Sequence, residues 1–200
     1  MANEQPAGGR VLTPPTFPKF GQFEVVSAAT FQSSGAFMFL YSRGGGGKTT
    51  LAASLYASEH DSPVVIFDAE GGSKVVNDIP EVQVIPVKSW ADLDKLEDTI
   101  KRTPVLPWKT IILDNESEFC QLCVNAVTGN EEDQVTQPEW GSVQRKMLAH
   151  VRFYRDLAAQ RGINVIMICW DVTERDETQK LVAKLNFIPS LQKSLPGVVD

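Results

Sequence analysis

The sequence predicts an α/β domain of three layers, with a mainly parallel sheet between two layers of helices. Two observations carry this. Short, predominantly apolar runs at residues 36–41 (AFMFLY), 63–67 (PVVIF), 110–113 (TIIL) and 164–169 (NVIMIC) alternate with segments of helical periodicity. A glycine-rich break at residues 42–47 joins the first run to the first helical segment. Runs without polar alternation suit strands covered on both faces, and parallel strands need helical crossovers between them.

The elements follow in order. Residues 1–21 are rich in Gly, Pro and polar side chains and read as a flexible leader; residues 22–200 read as the folded domain. Residues 23–26 read as a short strand, and residues 33–35 as a turn. Residues 48–59 have helical character, with Leu51, Leu55 and Tyr56 on one side. The strand at 63–67 ends at Asp68-Ala69-Glu70 and stops at Gly71-Gly72. A third strand spans 82–87. Ser89 is a plausible N-cap for a helix to about Arg102, with Asp92 supporting its start.

The strand at 110–113 closes on Asp114, and a helix is expected over 117–127. Residues 128–138 read as an exposed acidic loop. Trp140, Val143, Met147, Val151 and Leu157 recur at helical spacing within residues 139–161, and Gly162 is a natural stop. After the strand at 164–169, residues 171–180 read as a charged turn and 181–187 as a returning strand. A short helix over 189–195 and the start of another strand at 198–200 complete the pass.

Composition excludes several classes. Hydrophobic residues make up 42% of the 200, an ordinary fraction for a globular core. No apolar run approaches the roughly 18–20 residues that a membrane helix needs. Residues 1–21 lack the apolar core of a signal peptide, so the expected location is the cytoplasm. A formal net charge of −6 argues against a broadly basic nucleic-acid surface. Three cysteines fit a reducing compartment. Cys120 and Cys123 form a C-x-x-C without a second pair or a ligand-like histidine, so helical packing is expected of them rather than zinc or redox work.

The chemistry sits in the glycine-rich break. The sequence Ser42-Arg43-Gly44-Gly45-Gly46-Gly47-Lys48-Thr49 meets the pattern G-x-x-x-x-G-K-[ST] everywhere except its first position, where Ser42 stands for glycine. Such a P-loop surrounds phosphate oxygens with backbone N–H groups. Four successive glycines offset the missing one, since each reaches positive φ without a side-chain clash. The nucleotide-binding candidates are therefore Arg43, Gly44, Gly45, Gly46, Gly47, Lys48, Thr49 and Thr50. Lys48 is expected at the β- and γ-phosphates, Thr49 at Mg²⁺ and Thr50 at the α-phosphate.

An acid at the end of a second core strand should share the metal, and Asp114 fills that place. Thr49 and Asp114 are the metal candidates; Lys48, Glu70 and Asp114 are the catalytic ones. Many ATPases place a water-activating Glu directly after the metal-side Asp, but here Asn115 holds that position. Glu116 follows on a strand end and points elsewhere. Glu70 is the better candidate, on the expectation that the strand at 63–67 lies beside the P-loop strand.

Residues 65–72 (VIFDAEGG) resemble the strand of RecA in which a glutamate activates water. From about Phe23 the chain resembles phage-type P-loop proteins with a RecA-like core, grouped with AAA ATPases and including the RecA-like single-strand-annealing recombinases. The matching pieces are Leu40-Tyr41, residues 47–52 (GKTTLA), the 68–72 strand end, 110–114, Trp140-Gly141, 164–168 and 195–200 (LPGVVD). The resemblance implies a three-layer P-loop NTPase with ATP or ADP and Mg²⁺. It further implies ATP at a homo-oligomer interface, and work in phage DNA recombination in the host cytoplasm on single-stranded DNA with a single-strand DNA-binding protein. It also implies a further strand after 198–200. Two departures stand out: Ser42, and Cys169-Trp170-Asp171 where the family tends to carry a small residue, a histidine and an acid.

A cation from a neighbouring subunit commonly completes such sites; Arg175, Lys180, Lys184 and Lys193 are candidates, with a solvated charged face as the simpler reading. Trp140, Phe153 and Tyr154 suit core packing better than base stacking. Arg145, Lys146, Arg152 and Arg155 form a modest basic helix surface. Two other functions compete: a slow nucleotide-dependent switch that binds a protein, favoured by Ser42, Asn115 and Trp170, and a small-molecule kinase, disfavoured by an acidic 128–138 loop without arginine.

Overall fold

A computed structural model describes residues 35–129, 134–175 and 179–187, together with the short pieces 19–20 and 23–24 and the positions Gln192 and Ser194. Residues 1–32 form one unit, in which β1 (Lys19–Phe20) pairs antiparallel with β2 (Phe23–Glu24). Residues 33–200 form the other. The expectations for residues 1–18, 21–22, 25–34, 130–133, 176–178 and 188–191, for Lys193 and for 195–200 lie outside the described residues.

The second unit is a six-stranded sheet. Its strands are β3 (Phe37–Ser42), β4 (Val64–Asp68), β5 (Val82–Pro86), β6 (Thr110–Asp114), β7 (Asn164–Arg175) and β8 (Leu181–Leu185). The order is β3-β7-β6-β4-β5, all parallel, and β8 runs antiparallel along the far end of β7. The apolar runs are strands because they are covered twice. Val65, Phe67, Ile111, Leu113, Val165 and Met167 face one core, and their neighbours Val64, Ile66, Ile112, Ile166 and Ile168 face the other. That period of two divides a continuous apolar run between two layers.

Three helices cover the larger core: α2 (Trp90–Arg102), α3 (Glu116–Thr128) and α4 (Gln137–Arg161). Each start is capped as its sequence dictates. Ser89 Oγ accepts from Asp92 N at 3.2 Å, Asn115 Oδ1 from Glu118 N at 2.8 Å, and the Glu139 carboxylate from Thr136 N at 2.6 Å. Gly162, at φ 67°, ends α4. Arg161 donates from Nη1 to the carbonyls of Ile100 and Thr103, fastening α4 to the end of α2. The smaller core lies under α1 (Lys48–Ala53) and a 3₁₀ turn at Gly72–Val76. Among the described residues no helix is long and apolar enough to cross a membrane.

Four expectations need correction. The strand at 63–67 does not lie beside the P-loop strand: β4 sits between β5 and β6, with β6 and β7 separating it from β3. Crossover connections, not chain order, set the neighbours in a parallel sheet. The helix after the P-loop is α only to Ala53, then a 3₁₀ turn over Ser54–Ala57; Leu51 is exposed and Ala52 and Ala53 carry the packing. Residues 171–175 are strand rather than turn, because β8 supplies an antiparallel partner from Asp171↔Leu185 to Arg175↔Leu181. Gln137 and Pro138 belong to α4 rather than to the preceding loop.

The C-x-x-C residues Cys120 and Cys123 are buried in the larger core, and burial pushes the Cys123 thiol up to about 12, far from a reactive thiolate. Tyr154 is fully buried and packs against Phe67 and Phe153, in keeping with the core reading.

Candidate functional site: the nucleotide pocket

The ends of β3, β4, β6 and β7 open into a cavity of about 340 Å³. It is lined by Gly44, Gly45, Gly46, Gly47, Lys48, Thr49 and Thr50 from the loop and α1, by Glu70, Gly72 and Val75 after β4, by Asp114 and Asn115 after β6, and by Trp170 of β7. Of the nucleotide-binding candidates only Arg43 is outside this lining. It contributes its carbonyl, which accepts from Gly46 N at 3.2 Å and from Lys48 Nζ at 3.0 Å.

Gly45 and Gly47 have φ of 74° and 75°, and a side chain at either would project into open space. The loop thus needs glycine for its backbone, and the volume above it is free to take phosphate. Gly46 is constrained differently. A Cβ there would collide with Ser42 Oγ and come within 3.1 Å of Arg43 O. The serine that departs from the motif therefore occupies space that a bare Gly46 leaves. Lys48 is buried, and its Nζ donates to Ser42 O at 2.8 Å, holding the ammonium inside the loop.

Thr49 Oγ1 donates to Asp114 Oδ2 at 2.6 Å. Asp114 is 3% exposed, and burial raises its pKa; the Thr49 bond opposes this, Asp68 adds to it, and Lys48 opposes it. A hydroxyl and a buried carboxylate, both hard oxygen donors on the phosphate side of the loop, fit a magnesium ion well. Its charge would favour the ionised carboxylate that burial disfavours.

Glu70 reaches the same cavity from β4 although β4 is not adjacent to β3. Two contacts place it. Asp68, at the buried end of β4, accepts from Glu70 N at 3.0 Å, Gly71 N at 2.6 Å and Ser73 N at 3.0 Å, and from Ser73 Oγ. Burial would raise the Asp68 pKa, but the Ser73 hydroxyl and these amides hold it below the ordinary carboxylate range. Asn115 Nδ2 then donates to Glu70 Oε2. Burial, then the charge of Asp114, raise the Glu70 pKa, and the Asn115 bond opposes them. Sequence reasoning missed Asp68 as the organiser of this turn. The signal was available in an Asp followed by Glu-Gly-Gly-Ser, the composition of a side-chain-capped turn.

Glu116 points away from the cavity, as expected, and is fully buried. Trp170 pairs in register with Ser42, donates from its backbone N–H to Ser117 Oγ at 3.2 Å and forms one wall. The distal cations are engaged locally: Arg175 Nη1 donates to Gln179 O at 2.8 Å, and Lys184 pairs with Glu174 at 2.8 Å. On α4, Arg145 donates to Ser142 Oγ, Lys146 lies 5.7 Å from the Trp90 ring centroid, and Arg155 pairs with Asp156.

Comparison with known proteins agrees with this geometry. A family model described as an AAA domain matches residues 34–200. No curated protein matches the chain. With a glycine loop, lysine and threonine facing an acid across a parallel sheet, and with the match spanning most of its length, the chain belongs to the AAA domain family of nucleotide-binding P-loop ATPases.

Proposed function

We propose that this domain binds Mg-ATP in the cavity and hydrolyses it, with Glu70 as the group that activates water. The observation that carries this reading is the convergence of Lys48, Thr49, Asp114 and Glu70 on one cavity from three parts of the chain. The loop amides and Lys48 would hold the phosphates, and Thr49 with Asp114 would hold the metal. Mg²⁺, when bound, supplies positive charge that stabilises the phosphates in the transition state. Glu70 accepts a proton from water as the water oxygen bonds to the γ-phosphorus and the bond to the β,γ-bridging oxygen breaks. A raised pKa suits a base, because it makes the carboxylate a stronger proton acceptor.

The biological role we infer is phage DNA recombination or single-strand annealing, in a homo-oligomer with ATP at the subunit interface, in the host cytoplasm. The resemblance of residues 65–72 to RecA supports it, with single-stranded DNA and a single-strand DNA-binding protein as partners. One contact favours a second reading. The Asn115–Glu70 hydrogen bond engages one carboxylate oxygen and works against the raised basicity of the group, which suits a slow nucleotide-dependent switch that binds a protein.

ATP turnover with and without single-stranded DNA separates the two, measured beside Lys48→Ala and Glu70→Gln. Stimulation by DNA that both variants abolish supports the recombination reading. DNA binding should also weaken steeply with salt if phosphates are contacted. Tight ATP binding with negligible turnover in every condition supports the switch. Failure to bind Mg-ATP or Mg-ADP at all would refute both.

A further inference from the structure

Three consecutive residues at the end of β6 point three ways. Asp114 faces Thr49, Asn115 faces Glu70, and Glu116 turns into the core between the helices. There both Glu116 oxygens meet His150 Nε2, at 3.1 and 3.2 Å, and His150 Nδ1 lies 2.6 Å from Glu97 Oε1. Glu116 opens α3, His150 lies mid-way along α4 and Glu97 on α2, so one polar line crosses three helices. Aromatic rings enclose it: Trp90, Phe119 and Tyr154 stand 5.9, 6.0 and 5.1 Å from the imidazole centroid.

Such a line is a poor means of stabilising a core. Apolar side chains of similar volume usually serve at least as well, because buried charged groups lose their hydration. What apolar contacts do not supply is direction, since dispersion is indifferent to small slides whereas a hydrogen-bonded ion pair fixes distance and angle. The direction matters here because Glu116 is bonded to Asn115, the α3 N-cap. Asn115 spends Oδ1 on Glu118 N and Nδ2 on Glu70.

We propose that Glu97, His150 and Glu116 form a strut of positioning residues that sets the height of the first turn of α3, and so aims the Asn115 amide and the Glu70 carboxylate into the nucleotide cavity. None of the three lines that cavity, so they act on the reaction only through Asn115 and Glu70. The proposal rests on the reading of Glu70 as the water-activating group.

The test separates length, charge and packing. Glu116→Asp shortens the strut by one methylene and keeps its charge. It should lower kcat about tenfold or more while the Kd for Mg-ADP stays within about twofold. Glu116→Gln keeps the length and should retain kcat within about threefold. The triple variant Glu97→Met/His150→Leu/Glu116→Met should fold, bind Mg-ADP like the parent and lose kcat as Glu116→Asp does. A crystal structure of Glu116→Asp should show Asn115 Nδ2 beyond hydrogen-bond reach of Glu70. Parental kcat in Glu116→Asp, or an Asn115–Glu70 pair unchanged in that crystal structure, overturns the strut. Should the parent itself show no turnover, the ATPase reading fails, and the position of Asn115 in the crystal structure still decides the strut.

Discussion

Thr49 Oγ1 and Asp114 Oδ2 lie 2.6 Å apart, although 65 positions separate them in the chain. The hydroxyl spends its proton on the carboxylate and keeps its lone pairs free on the cavity side. Burial makes the ionised Asp114 carboxylate unfavourable until a cation arrives. Asp114→Asn should therefore do two opposite things. Without nucleotide it should raise the thermal midpoint, because it removes a charge whose folded-state pKa is raised. With nucleotide it should weaken Mg-ATP binding about tenfold or more while leaving metal-free ATP affinity nearly unchanged. Scanning calorimetry and titration calorimetry check the two halves.

Glu70→Gln should keep the hydrogen-bonding shape and the nucleotide affinity and lower kcat by about a hundredfold or more. The base works only when ionised, so kcat is retained above its pKa and lost as pH falls through it. Because burial and Asp114 raise that pKa, the acid limb of the kcat profile should lie above the ordinary range of a glutamate. Steady-state rates at saturating Mg-ATP between pH 4 and 8 would contradict the assignment by showing a flat profile.

Ser42 and Gly46 should behave as a pair. Gly46→Ala drives a methyl into Ser42 Oγ and to 3.1 Å from the Arg43 carbonyl, so the serine must turn and the loop must give, which should weaken nucleotide binding by about threefold. Ser42→Gly should restore part of that loss in the double variant. A double variant no better than Gly46→Ala would show that the serine and the bare glycine are unrelated.

His150 should impose an alkaline limit on stability. Burial alone would lower its pKa, but Glu116 and then Glu97 more than offset this and push it up to about 10. The other groups facing it are Tyr154 on its own helix and Trp90 on α2, with Lys101, Asp94 and Lys146 around the neighbouring cleft. The folded pKa is raised, so the contribution is complete below the unfolded value of 6.5 and is lost as pH rises through 10. Unfolding free energies from denaturant titrations between pH 6.5 and 10 should fall with a slope approaching about one proton per molecule. The triple apolar variant of the strut should lose that slope.

Local motifs were legible because their chemistry is local. The strand, glycine loop, Lys48 and Thr49 must be contiguous to work, and Asp114 follows a short, β-branched apolar run of the kind buried strands use. Glu70 was legible as a residue but not as a position. The sequence placed its strand next to β3, whereas the sheet places β4 beside β6, and Glu70 arrives through Asp68 and Asn115. The far half of β7 was hidden for another reason. Its residues past Trp170 are largely exposed, and no apolar face distinguishes such a hairpin from a charged turn.

The Glu97–His150–Glu116 line was the least legible, since its bonds span 53 and 34 positions. A trace of it was nevertheless present. Glu97 falls between Leu93 and Ile100 on the buried face of α2, and His150 among Met147, Val151 and Tyr154 on that of α4. A polar residue inside an apolar helical stripe needs a partner of its own kind.

The length of β7 has a mechanical corollary. The strand is gripped by β6 as far as Ile168 and by β3 as far as Trp170, and from Asp171 to Arg175 its strand partner among the described residues is β8. It is a cantilever whose fixed end is the cavity wall. A displacement of Trp170 should therefore be passed directly to Asp171–Arg175 and to the β8 residues paired with them.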